Sequence, residues 1–284
     1  MIGAPVPAAV PMSFLPASQS PGTPSPEAWC FAFVQRDLLL REGQPHAIPL
    51  GPTATGALLA QASASHYLGA LSAVDCWALV LPEAPPGWQA TPLRAAMMAL
   101  PPPLSALAGR ASQVLEWDRS HRYCGVCGTP TELQPGERAR ICPACKHSCD
   151  PRLSPAMMAL VWRPGELLLA RSPHYVKGMY SALAGFVEAG ESLENCVHRE
   201  VAEEVAASVT DLRYHGSQSW PFPHSLMVAF TARWTGGEIV PQPDEIERAA
   251  WFPIDQLPNI PSRFSIAGQL IRDTLEAMRA GGFA

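Results

Sequence analysis

The sequence predicts a protein of mixed α+β and α/β class, in which an α/β region follows a small α+β region and a short cysteine-bearing segment. Three observations carry this. Beyond Pro151, short apolar runs alternate with helical patterns. Between 119 and 150 four cysteines stand as two close pairs. From Trp29 to about Trp117, strand-like runs give way to Ala/Leu-rich stretches. At 284 residues the chain is long enough for about two domains and a small third. The boundaries read as 1–27, 28–118, 119–150 and 151–284.

In chain order, residues 1–26 hold seven prolines among Ala, Ser and Gly, so this stretch can neither continue a helix nor join a central strand. It reads as a disordered tail. In 28–118, "FAFVQRDLLL" and "CWALVLPE" read as strands, and "PPP" at 101–103 breaks the helical stretches that follow. After Pro151, "AMMALVW", "ELLLAR", "SLMVAFTARW" and "AAWF" read as strands and 192–207 as a helix, with Ser192 as its N-cap. A last helix is expected over 265–280, because Ala267, Leu270, Ile271, Thr274, Leu275 and Met278 share one face.

Cys124 and Cys127 form one C-x-x-C pair, Cys142 and Cys145 the other, with fourteen residues between them. Two residues between thiolates let both reach one ion at about 2.3 Å, and two such knuckles complete a tetrahedron. Gly125 and Gly128 ease the first turn. A closed set of four thiolates leaves no open position, so the expected role of a Zn²⁺ here is structural, in a segment too short to bury a core. His147 and Cys149 are near enough to be rival ligands. The remaining Cys30, Cys76 and Cys196 read as small core residues.

The formal net charge of −5 and 16% charged residues leave no polybasic surface for duplex nucleic acid or an anionic membrane. No apolar run approaches the roughly 18 residues of a membrane span, prolines interrupt the apolar N-terminus, and the first Arg is Arg36. The expectation is a cytoplasmic protein with no membrane partner.

The stretch "GFVEAGESLENCVHREVAEEVAAS" places Glu200, Glu203 and Glu204 within one turn of the helix that also carries Leu193, Val197, Val201 and Val205 every fourth residue. Like charges at these spacings destabilise a helix, and more so where partly buried. A divalent cation would resolve the conflict, and hard carboxylate oxygens suit Mg²⁺ or Mn²⁺. Read from these residues alone, the alternative is a solvated acidic face.

The pattern Gly185-x5-Glu191-x7-Arg199-Glu200-Val201-x-Glu203-Glu204 resembles the Nudix box, which ends on x, Gly and an aliphatic residue where this chain has Val205, Ala206 and Ala207. The resemblance implies a Nudix α/β/α sandwich, metal coordination by Glu200, Glu203 and Glu204 with the carbonyl of Ala184, and an orienting pair of Glu191 and Arg199. Ala where glycine permits a left-handed backbone costs on the order of 1 kcal/mol, so the helix is expected to end differently.

Residues 217–225, "SQSWPFPHS" (Ser217, Gln218, Ser219, Trp220, Pro221, Phe222, Pro223, His224, Ser225), resemble the SQPWPFPxS array of NADH pyrophosphatases, the NudC type. Prolines stiffen this aromatic surface, and Gln218, Ser217 and Ser225 are expected to face a nicotinamide or ribose. Phe186 could stack on a base. The family resemblance adds Glu245 as a further metal-facing carboxylate, with Glu247 its rival, a backbone contact at Ala267, and Arg94 reaching in from the N-terminal domain. It also implies a homodimer. Where that family has Tyr before the proline of "PRLSPA", this chain has Asp150.

The function so implied is metal-dependent cleavage of NADH or NAD⁺ into AMP and NMNH or NMN, and removal of NAD caps from RNA 5′ ends. No G-x-G-x-x-G fingerprint is present, so NAD would be substrate and not hydride carrier. The alternatives are a Nudix-fold sensor that holds a nucleotide uncleaved, or a hydrolase of another nucleoside diphosphate such as ADP-ribose.

Overall fold

A computed structural model describes residues 13–20, 27–49 and 52–282. They fall into two compact units. One runs from Ser154 to Ser219 and resumes at Ser225; the other holds the described residues up to Leu153 together with Trp220–His224.

In the N-terminal unit six strands form one sheet: β1 (Phe14–Pro16), β2 (Ala28–Val34), β3 (Asp37–Arg41), β4 (Ala64–Leu71), β5 (Val74–Leu81) and β6 (Trp88–Pro92), in the order β1-β4-β5-β2-β3-β6. Helices α1 (Pro52–Gln61), α2 (Leu93–Ala99) and α3 (Pro102–Ser120) accompany them. "FAFVQRDLLL" becomes the β2–β3 hairpin, turning at Gln35 with φ 57°. The proline run sets the start of α3, whose first turn has no need of the missing N–H groups.

The reading of 1–27 as a disordered tail is corrected for residues 13–20. Phe14–Pro16 pairs antiparallel with β4, and Phe14 is buried. The strand lies at the sheet edge, where proline is tolerated, and it crosses Gly69, where any side chain would run into the backbone at Leu15 and Pro16. Residues 1–12 and 21–26 of the expected tail lie outside the described residues.

The cysteine segment adds three short strands, β7 (Glu132–Leu133), β8 (Arg140–Ile141) and β9 (Ser148–Cys149), paired in that order. It is fastened to the N-terminal sheet through Asp118 at the end of α3. The Arg140 guanidinium hydrogen-bonds this buried carboxylate and also donates to the Thr131 carbonyl at 2.8 Å. Trp117 Nε1 donates to the Cys149 carbonyl at 3.1 Å, and Arg138 to the carbonyls of Ala17 and Tyr67. Burial alone would push the Asp118 carboxyl up, yet His66, Arg140 and Arg122 hold it below the usual range.

The C-terminal unit is built on β10 (Ser154–Arg163), β11 (Glu166–Arg171), β12 (Leu183–Phe186), β13 (Ser208–Trp220), β14 (Ser225–Gly236) and β15 (Arg248–Pro253), with helices α4 (Leu193–Val205) and α5 (Ile266–Arg279). The sheet order is β13-β14-β10-β11-β15, with β12 also on β10; β10 and β14 run parallel. Every side chain of β10 from Ala156 to Trp162 is buried, as a strand covered on both faces requires. Met157, Ala159 and Val161 pack with Val197, Val201 and Val205 of α4, while Met158, Leu160 and Trp162 pack with Leu270, Ile271 and Leu275 of α5. This period-two partition makes an α/β/α sandwich, as expected.

Ser192 caps α4 by accepting from Asn195 N at 3.2 Å, and Ser265 caps α5 in the same way through Gly268 N. The C-terminus of α4 differs from expectation. Ala206 does take the left-handed conformation, φ 56° and ψ 28°, that the pattern reserves for glycine. Backbone N–H groups of the loop between β14 and β15 hold the end of the helix: Val240 N reaches Val205 O at 3.0 Å and Gln242 N reaches Glu204 O at 2.9 Å. The loop can approach because Gly237 presents no Cβ to the Ala206 carbonyl.

Candidate active site

The four cysteine sulfurs lie within 4.8 Å of one another, the one set of His, Cys, Asp or Glu ligand atoms so close among the described residues. Backbone geometry arranges them. Gly128 N donates to Cys124 O at 2.9 Å and Lys146 N to Cys142 O at 3.0 Å, each from a residue with positive φ. Cys124 N and Cys142 N then reach the carbonyls of Thr129 and His147. Two superimposable knuckles thus point four soft donors at one centre, a set that fits Zn²⁺. Neither rival joins: His147 and Cys149 are outside the set, and both engage the scaffold through their carbonyls.

The Nudix-box helix builds a different arrangement. Arg199 grips Glu191 with two hydrogen bonds of 2.8 and 2.9 Å, and its remaining N–H groups reach Glu200 at 2.9 Å, Glu203 at 3.0 Å and the Phe186 carbonyl at 3.0 Å. The bidentate guanidinium, helped by the Glu188 N–H, lowers the Glu191 carboxyl to about 2, and Glu191 in return raises Arg199. The pair therefore braces the loop before α4 against the helix.

Glu200 and Glu204 are both buried, at 8% and 5% exposure, while Glu203, also bonded to Arg199, is open to solvent. The Glu200 carboxylate occupies the volume that a side chain at position 185 would take, so glycine there lets Glu200 keep this position. Burial raises its carboxyl, against the pull of Arg199. Glu204 is pushed further, to about 8, first by burial and then by the charges of Glu200 and Glu245. Its Oε2 is buried with no hydrogen-bond partner.

Glu204 opens on a cavity of about 270 Å³ whose wall includes Ala184, Asp244 and Glu245. An unpartnered buried carboxylate oxygen beside two further carboxylates is a set of hard donors lacking positive charge, which a divalent cation satisfies. The residues present fit one. Of the two rivals, Glu245 is in the wall, whereas Glu247 ion-pairs with Arg171 at 2.8 Å.

Of the other expected contacts, Phe186 is exposed at 59% beside the Glu191–Arg199 brace. Ala267 is buried in the first turn of α5. The expectation for Gln218 is corrected: it is buried, donating to Phe264 O at 2.9 Å and accepting from Ile266 N at 2.7 Å. Burial and these two bonds turn the amide towards the start of α5, where it pairs a loop carbonyl and an otherwise unpaired N–H, so its role in this structure is to position that helix. Ser225 is corrected likewise, because it is buried at the start of β14; Ser217 stays exposed and Ser219 half-buried. Trp220, Pro221, Phe222, Pro223 and His224 belong to the N-terminal unit, where the Arg94 guanidinium lies 5.3 Å from the Trp220 ring centre. Arg94, Pro221, Phe222 and Pro223 line a separate cavity of about 610 Å³.

Comparison with known proteins finds the same three segments. A NUDIX domain model matches residues 152–273, the NADH pyrophosphatase zinc ribbon domain 119–149, and an NADH pyrophosphatase-like rudimentary NUDIX domain 27–117. The chain is 48% identical over 261 residues to a Chromobacterium violaceum protein named NAD-capped RNA hydrolase NudC, covering 92% of this chain and 96% of that one. The chain belongs to the NudC family of Nudix hydrolases. A NudC of the same description from Deinococcus radiodurans is 44% identical over 86% of this chain and 89% of its own, and one from Pseudomonas syringae 57% over 62% and 63%. As in other Nudix hydrolases, a divalent metal is implied by the fold; the ribbon implies structural zinc.

Sequence reasoning missed β13, whose polar residues give no clean alternation, and missed Ser172, His174, Tyr175 and Asp244 in the cavity wall. Asp244 was legible as the neighbour of Glu245. The others stand in a loop whose spacing carries no signal.

Proposed function

We propose that this NudC-family chain hydrolyses the pyrophosphate bond of NADH and NAD⁺, and of NAD caps on RNA, using Mg²⁺ or Mn²⁺. The observation that carries the reading is buried Glu204, one oxygen of which has no hydrogen-bond partner, in the wall of the cavity shared with Glu245 and Ala184. The names borne by the relatives supply the substrate class. A bound cation would polarise the phosphoryl oxygens and lower the pKa of a water. Glu200, Glu203, Glu204, Glu245 and the Ala184 carbonyl are the groups we assign to holding it. Arg199 and Glu191 keep the helix and the preceding loop in register, and one of Glu203, Glu204 or Glu245 takes the proton that the attacking water gives up.

Cys124, Cys127, Cys142 and Cys145 hold zinc as a structural staple in this reading, and 28–118, 119–150 and 151–284 serve as working domain boundaries. Phe186, Ser217, Ser219, Ala267, Arg94 and residues 220–224 remain assigned to substrate by family resemblance. No helix among the described residues is long and apolar enough to cross a membrane. A cytoplasmic homodimer fits the family, and the mass in solution tests the second part.

The test is product analysis with NADH, NAD⁺, ADP-ribose and an NAD-capped RNA, each with Mg²⁺, Mn²⁺ or chelator, for wild type and Glu204→Gln. Metal-dependent AMP and NMNH from NADH, absent in the variant, are expected. Tight nucleotide binding without cleavage of any substrate would replace the hydrolase by a sensor.

A further inference from the structure

Besides its carboxylates, the wall of the acidic cavity includes Ser172, His174 and Tyr175 of one loop, residues 172–180. Its ends are closed by the paired backbone bonds of Ala170 and Ser181. Arg171 fixes its middle, donating to the Val176 carbonyl at 2.8 Å while held by Glu247 at 2.8 Å. Within it, Tyr175 N bonds to Ser172 O at 3.0 Å and His174 N meets the Ser172 hydroxyl at 3.4 Å. A tight turn so anchored presents the His174 and Tyr175 side chains to the same cavity as Glu204 and Glu245.

The chemistry of that wall is lopsided. Three carboxylates line the cavity, Glu204, Asp244 and Glu245, and His174 is the sole basic side chain among the lining residues. A pyrophosphate diester brings two negative charges of its own. Even with a cation on the carboxylates, phosphoryl oxygens turned away from it need a donor, and an imidazole N–H is the group placed to give one. Tyr175, 36% exposed, adds an aromatic face on the same turn. At about 270 Å³ the cavity is below the usual size for a whole ligand of this kind, so it takes the pyrophosphate and one adjoining ring.

We infer that loop 172–180 is a substrate clamp, in which His174 binds a pyrophosphate oxygen and Tyr175 packs against the adjoining sugar or base. Resting on the hydrolase reading above, it names binding residues which that reading does not include. His174 acts on binding and takes no covalent part.

Steady-state kinetics on NADH with full-length protein test it, using His174→Ala, His174→Arg, Tyr175→Ala, Tyr175→Phe and, as a control, Lys177→Ala, an exposed residue of the same loop outside the cavity wall. Both alanine variants should raise KM about tenfold with kcat within about threefold, the loss of binding shared by ground and transition states. His174→Arg should recover most of the loss through charge, Tyr175→Phe most of it through the ring, and Lys177→Ala should match wild type. Thermal midpoints close to wild type confirm that the loop is the part changed. Calorimetric titration of AMP and NMN with Mg²⁺ reads the same contacts without turnover. If wild type binds them and the alanine variants bind about tenfold more weakly, yet nothing is hydrolysed, the hydrolase reading falls and the clamp stands. Wild-type KM in both alanine variants, or a loss confined to kcat, overturns the clamp and leaves the hydrolase reading intact.

Discussion

The four ribbon sulfurs lie within 4.8 Å of one another and are set there by backbone hydrogen bonds of two matching knuckles, whereas the carboxylates of the Nudix helix are spread over different environments. Glu203 is in solvent, Glu200 is tied to Arg199, and Glu204 is buried with one oxygen unpartnered. A closed, preformed shell of four donors holds an ion and does nothing else with it. An incomplete shell beside a cavity leaves positions for water and phosphate, at the cost of a strained apo state. The distinction between a structural and a catalytic metal is thus written in how far the protein completes the shell by itself.

Removing the buried carboxylate is the most direct way to break that contrast. Glu204→Gln should lower kcat on NADH by roughly 10³-fold or more, since in the proposed reaction this group holds the metal. The same change should stabilise the metal-free fold. The folded carboxyl is raised to about 8 from an ordinary 4.5, so its contribution is fully present below about 4.5 and is lost as pH rises through about 8. In chelator, the wild-type thermal midpoint should fall across that window, the variant's should stay flatter, and Mg²⁺ should restore the wild type at pH 8. A wild-type curve as flat as the variant's would contradict the buried, uncompensated charge.

The ribbon should respond in the opposite sense. Cys142→Ser removes a fully buried thiolate. Bound zinc, measured by metal analysis, should drop from about one per chain to a small fraction, because about 10 kcal/mol or more of metal binding is also folding energy for such a segment. Proteolysis should then open residues 119–150 first. A variant that keeps its zinc would point to His147 or Cys149 as substitute ligands.

Much of both sites was legible from spacing alone. The C-x-x-C pairs and the Glu200/Glu203/Glu204 register survive translation into structure because each depends on one local turn or one helix period. Ser192 is legible as a cap for the same reason, whereas Ser265, which the sequence places inside the last helix, is its N-cap. What depends on tertiary partners was not. Gln218 reads in the sequence as a free polar side chain in an aromatic array, and only the position of α5 shows that both ends of its amide are engaged and buried there. Phe14–Pro16 reads as tail until Gly69 supplies the flat surface it crosses. The cavity wall at His174 comes from a loop held by Arg171, a contact with no period to reveal it.

Smaller changes sharpen the comparison. Arg199→Lys keeps the charge but loses the fork that joins Glu191, Glu200, Glu203 and the Phe186 carbonyl. It should cost about 10- to 100-fold in kcat, in line with the loss of a group that orients metal ligands, with zinc content unchanged. An equal loss of zinc would mean that the two centres are coupled.

The mildest change is at Ala206. The knuckles reach positive φ at Gly128 and Lys146, each paid back by a short backbone bond, and α4 does the same at Ala206 with an alanine. Ala in this conformation costs about 1 kcal/mol relative to glycine, offset in part because glycine frees the unfolded chain. Ala206→Gly should therefore stabilise by a few tenths of a kcal/mol up to about 1, seen as a rise of at most a few degrees in thermal midpoint, with activity preserved. The capping bonds from Val240 and Gln242 are backbone bonds and survive the substitution. A fall in stability would mean that the alanine methyl is itself packed to advantage, and that this chain departs from the glycine pattern because its loop has adapted to the extra carbon.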